Sequence, residues 1–161
     1  KTSVILVTHD QEEAFSFADR LLIMNKGKLI QSGQGRDLYS KPKDPFVASF
    51  LGEANFLTRQ EAFYFRDLNQ NLVLEGEGKE EYLLRPHDII LEKVRNDSKE
   101  SPLKGVIKDV QYLGEMMSYK LLVKSEESLE RTFVVKNFNK DFFEREEEVS
   151  VQIQKISGVG S

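Results

Sequence analysis

The 161-residue chain contains no cysteine. That excludes disulfides, thiolate metal sites and a cysteine nucleophile, and it fits a reducing, cytoplasmic setting. No apolar run approaches the roughly 20 residues that a membrane-spanning helix needs. The amino end lacks the pattern of a secretory signal, and Lys1 stands where an initiator methionine would be, as expected of a piece of a longer chain. A basic excess is also missing. The net charge is −4, and phosphate binding wants a concentrated basic face, so no nucleic-acid partner is expected. Finally, there is no G-x-x-x-x-G-K-[ST] loop. Gly33 and Gly35 are the close glycines, but no Lys-Ser/Thr follows them and no apolar strand precedes them.

What is present is an ordinary globular composition, 39% apolar and 31% charged, enough for one medium domain or a small domain plus a remnant. Charge and texture change near Gly52. Residues 1–52 carry seven basic and six acidic side chains, net +1; residues 53–161 carry sixteen and twenty-one, net −5. In the first part, the β-branched run 4–8 predicts a buried strand, with Asp10 or Thr8 starting a helix over 11–19. Residues 21–24 and 29–31 predict a hairpin around Asn25-Lys26-Gly27-Lys28. Two short helices follow, one over 36–39 and one opened by Asp44-Pro45 and stopped by Gly52. Beyond Gly52 the runs become short and alternating. They predict strands at 55–59, 62–65, 71–75, 81–85, 89–92, 103–113, 116–124, 130–135 and 148–154, as in a small barrel or sandwich. Residues 96–101 and 124–130 read as polar loops, 138–143 as a helical turn, and the tail from Ser157 as frayed.

His9 stands at the exit of the predicted strand and before a helix, where open α/β sheets bind ligands. On spacing alone it reads better as a structural histidine at a helix start. The phrase VTHDQEEA over residues 7–14, continued by ADRLLIMNKGK over 18–28, resembles the histidine switch and following segment of ATP-binding-cassette (ABC) ATPases. The resemblance implies that His9 contacts the γ-phosphate of ATP and positions the attacking water, chemistry suited to an imidazole near neutral pH. The phosphate loop, the LSGGQ-type signature and the Asp-Glu strand of those enzymes are absent, so this segment by itself is expected to hold no ATP or magnesium and to catalyse nothing. Asp10, Glu12 and Glu13 read as carboxylates at a helix amino terminus rather than as a metal cluster.

YLLRPHDI over residues 82–89, and GVIKDVQYLG over 105–114, resemble two phrases of the transport-associated OB-like (TOBE) domain, in that family's order. Arg85 and His87 are candidates for a regulatory anion site; the alternative is a turn in which Pro86 fixes φ and Asp88 accepts backbone donors. Tyr112, Met116, Met117, Tyr119, Phe133, Phe138, Phe142 and Phe143 could stack bases, but in an acidic segment they read better as core with a few exposed contacts. The run from Glu144 to Glu148 reads as a solvated turn.

The expected fold is therefore mainly β: an OB-like (TOBE) barrel over 53–161, preceded over 1–52 by an α/β remnant of an ABC ATPase domain. The expected role is the carboxy-terminal regulatory and dimerisation part of the ATP-binding subunit of a bacterial importer, with iron(III) or polyamine as cargo. The resemblance implies ATP and Mg2+ in the whole protein, a second copy and transmembrane permease subunits as partners, and a place on the inner face of the cell membrane. The competing reading is a stand-alone OB-like module for a small anion or single-stranded nucleic acid.

Overall fold

The computed structural model describes residues 2–69, 71–94, 103–124, 130–138 and 141–160. The chain divides into two compact units, Lys1–Gly52 with Val159–Ser161, and Glu53–Gly158.

In the first unit, Asp10 caps helix α1 (Gln11–Phe17) by accepting a hydrogen bond from the Glu13 amide at 3.0 Å. Strands β1 (Leu21–Asn25) and β2 (Lys28–Gly33) form an antiparallel hairpin. Lys26 and Gly27 make its two-residue turn with φ of 47° and 73°, the left-handed pair of a type I′ turn. Helices α2 (Gly35–Ser40) and α3 (Pro45–Phe50) follow, the latter with Pro45 in its first turn and Asp44 accepting from the Val47 amide at 2.8 Å. Leu21, Ile23, Leu38, Val47 and Leu51 make a small core.

The second unit holds two sheets. The four-stranded one has the order β3 (Asn55–Thr58), β5 (Glu81–Leu84), β11 (Lys155–Val159), β4 (Val73–Glu75). The five-stranded one has the order β6 (Ile89–Lys93), β10 (Glu148–Ile153), β7 (Lys104–Tyr112), β8 (Met117–Lys124), β9 (Glu130–Asn137). The edges β6 and β9 approach each other, so this sheet curls into an open, OB-like barrel. Its interior is filled by Tyr82, Tyr119, Phe133, Phe143, Ile107, Leu121 and their neighbours, against which α4 (Arg59–Leu68) packs Ala62 and Phe65. β3 and β9, the outermost strands of different sheets, are joined by side chains, chiefly that of Asn55. Asn55 donates through Nδ2 to the carbonyls of Leu84 (3.2 Å) and Val134 (2.9 Å), and its Oδ1 accepts from the Val134 amide at 2.8 Å.

Several expectations are corrected. Residues 4–8 form no strand: Val4, Ile5 and Val7 are 84–92% exposed. A strand apolar on both faces needs neighbours on both sides, and none of the described residues pairs with it. Residues 62–65 lie in helix α4, not a strand. Thr58 and Glu61 form a reciprocal capping box, and Ala62 and Phe65 are buried at helical spacing. The tail from Ser157 is not frayed, because β11 pairs in parallel with β4. Phe138 and residues 141–143 are not helical. Of the predicted loops, 96–101 and 125–129 lie outside the described residues.

The Asn55 amide sets the first test. Asn55→Ala is expected to lower unfolding free energy by about 2–4 kcal/mol, because it orphans the part-buried Val134 N–H and carbonyl together with the buried Leu84 carbonyl. Asn55→Asp, which keeps the acceptor but sets a carboxylate against two carbonyl oxygens, should destabilise as much or more. Urea denaturation measures both; a loss under about 0.5 kcal/mol would show the bridge to be incidental.

Candidate functional site

His9 sits on the surface, between a turn closed by the Asp10 amide on Thr8 Oγ1 (3.0 Å) and the cap that Asp10 places on α1. The local sequence dictates this: a Thr-x-Asp start satisfies the first helix amides and leaves the intervening side chain pointing outward. Asp10, Glu12 and Glu13 occupy the cap and first turn of α1, where carboxylates meet the positive end of the helix dipole. Among the described residues no group of three or more His, Asp or Glu could hold a metal ion. Next to His9 lies a cleft of about 1050 Å³, walled by the exposed residues 4–7, by α1 and by β1. Its walls are mostly apolar, and Leu22 and Met24 of β1 and Phe17 of α1 are largely exposed.

In the second unit the Arg85-Pro86-His87-Asp88 phrase is a corner. A 3₁₀ turn, Pro86–Asp88, carries the chain from β5 in one sheet to β6 in the other. The return crossing from β10 to β11 runs through Gln154, whose amide donates to the Asp88 carbonyl at 2.8 Å. Both passages between the sheets are thus pinned together. Arg85 points inward, only 4% exposed, and its Nη1 donates to the Glu53 carbonyl at 3.1 Å. His87 is exposed, with Nε2 3.9 Å from Asp88 Oδ1. The corner therefore does not present Arg85 and His87 as a matched pair to solvent: Arg85 holds backbone from within, and the His87 side chain is exposed. Burial pushes the Asp88 carboxyl above the usual carboxylate range, against the opposing charges of His87, Lys155 and Arg85.

The aromatic set divides. Tyr119, Phe133 and Phe143 are core, with Tyr119 edge-on to Phe143 at 5.8 Å, while Tyr112, Phe138 and Phe142 are exposed. The residues that organise the corner and the seam but escaped the sequence reading are Glu53, Asn55, Lys136 and Gln154. A signal existed for Asn55: alternation along Asn-Phe-Leu-Thr puts it on the same inward face as Leu57.

Residues 82–159 match the TOBE domain family, so the second unit carries a TOBE domain. Curated relatives extend the likeness across both units. A spermidine/putrescine import ATP-binding protein PotA of Haemophilus ducreyi is 36% identical over 153 residues, covering 85% of this chain and 40% of the relative. The proteins of the same description from Pasteurella multocida and Bacillus thuringiensis are 37% and 36% identical over 123 and 126 residues, or 68% and 78% of this chain and 33% and 32% of theirs. The chain thus resembles a carboxy-terminal part of the ATP-binding subunits of ABC transporters. It spans about a third to two fifths of the length of these relatives. The iron(III) alternative finds no support among them.

Asp88 yields a pH prediction. Its folded pKa is raised above the ordinary 3.8, so its contribution to stability is full below that value and is lost as pH rises through the raised one. Asp88→Asn, which cannot ionise, should therefore melt higher than the parent chain at neutral pH. The advantage should vanish on acidification to about pH 3, where both side chains are neutral. Thermal melts across that range check this, and a variant less stable at neutral pH would refute it.

Proposed function

We propose that this chain is the carboxy-terminal part of the ATP-binding subunit of a polyamine importer. The observation that carries the reading is the alignment with the Haemophilus ducreyi relative, which runs through both units rather than through the TOBE domain alone. The apolar face of the first unit, with residues 4–7, Leu22 and Met24 open, supports it: such a face suits packing against the rest of an ATP-binding domain. Residues 1–52 are then the end of that domain and 53–161 its regulatory and dimer-stabilising domain.

In the whole protein His9 reads the γ-phosphate of ATP and helps position water. The exposure of this imidazole just ahead of a capped helix supports that reading. The phosphate grip and magnesium ligands come from residues outside this segment, so the segment alone does not turn over ATP. A second copy and transmembrane permease subunits are its partners, and the protein works at the cytoplasmic face of the membrane. No helix among the described residues is long and apolar enough to cross it.

In cells carrying the complete protein, His9→Ala should reduce uptake of labelled spermidine and putrescine by about a hundredfold or more, the scale of a lost positioning base. The purified 161-residue chain should show no ATP turnover. Undiminished polyamine uptake by the variant, or turnover by the isolated chain that His9→Ala abolishes, would each contradict the reading.

A further inference from the structure

The residues that open the second unit are held with unusual thoroughness. The Glu53 carbonyl accepts from Arg85 Nη1 at 3.1 Å, and its carboxylate lies 2.7 Å from Lys136 Nζ. Asn55 is buried and makes its three bonds to Leu84 and Val134. The Phe56 carbonyl accepts from Arg131 Nη2. Three of the four residues 53–56 are thus fastened by side chains, to strand β9 through Arg131, Val134 and Lys136 and to the end of β5 through Leu84 and Arg85. That end of β5 runs directly into the 3₁₀ turn bearing the exposed His87. Arg85 is therefore both the last residue before the turn and a donor to the first residue of the unit.

We propose that residues 53–56 are a clamped stem, a conformational device that ties the entry of the TOBE unit to β9 and to the 85–88 turn. Through Arg85 the stem is coupled to that turn, so a displacement of the turn is passed to the stem. The inference is independent of the cargo and of the ATP chemistry proposed above, because it rests on contacts within the second unit.

Hydrogen–deuterium exchange on the full chain tests it. Arg85→Met, which keeps volume but removes the donor, should speed exchange of the Ala54 to Leu57 amides by about tenfold, the scale of a hydrogen bond to a charged group, while β7 and β8 stay protected. Lys136→Met, a milder change at a partly exposed pair, should speed the same amides by a smaller factor and leave the melting temperature nearly unchanged. Unaltered exchange at 54–57 in either folded variant overturns the proposal, and so does acceleration spread evenly over β7, β8 and β9. If Arg85→Met does not fold, the Lys136→Met result alone decides.

Discussion

One side-chain amide closes the β structure. Asn55 offers Val134 a donor and an acceptor at 2.8–2.9 Å, the pattern a neighbouring strand's peptide would offer. Elsewhere the two sheets keep separate ladders, so β3 and β9 would each end as an edge with unpaired groups turned toward the other. A backbone ladder there would force both strands into one register and flatten the curl that brings β6 and β9 together. A single amide satisfies the groups at one point and lets the strands diverge on either side. Arg131 adds a second stitch, donating to the Phe56 carbonyl and pairing with Glu61 at 3.1 Å. The corner at Asp88 and Gln154 then fixes how the chain passes between sheets. Seam and corner together place the core aromatics, and weakening either loosens everything packed between them.

Much of this architecture was legible in the residues. Hairpin β1–β2 announces itself by Asn-Lys-Gly-Lys between apolar runs, and α3 by Asp-Pro at its start. Strands β7 to β9 fall close to their predicted bounds because alternation over eight or nine residues is a strong signal. Helix α4 was misread because Ala62 and Phe65 suit a short apolar run equally well, and what decides is the Thr58–Glu61 capping box, a local signal that was there to be read. β11 is different. A tail rich in Gly and Ser has little strand propensity, and it pairs because β4 and β5 leave a slot between them; only tertiary context supplies that.

The candidate site residues could be singled out from the sequence, but their arrangement could not. His9 was singled out by its position between an apolar run and a capped helix, and the structure keeps it on the surface ahead of α1. Arg85 and His87 are two residues apart, and their spacing cannot reveal that one faces inward and the other out. That depends on the 3₁₀ turn, which rotates the chain between them. A guanidinium at 4% exposure is explained by what it holds, the Glu53 carbonyl, and charged groups are buried only when so engaged.

The two units differ in how fully their apolar surface is matched. Among the described residues the second unit gathers twenty buried side chains into one cluster around four aromatic anchors, Tyr82, Tyr119, Phe133 and Phe143, with α4 covering the interior. The first gathers five, and it leaves Val4, Ile5, Val7, Phe17, Leu22 and Met24 mostly in water. Hydrophobic stabilisation scales with apolar area removed from water, while the conformational entropy lost scales with residues ordered. A unit of about fifty residues with so small a core sits at the margin where single domains stop being stable alone. Its secondary structure is nonetheless well specified by caps and turns, which are local and need no core. Local signals thus set which elements form, and burial sets whether they persist. The TOBE unit meets both conditions with its own residues, whereas the first unit leaves β1 and the run ahead of His9 largely uncovered.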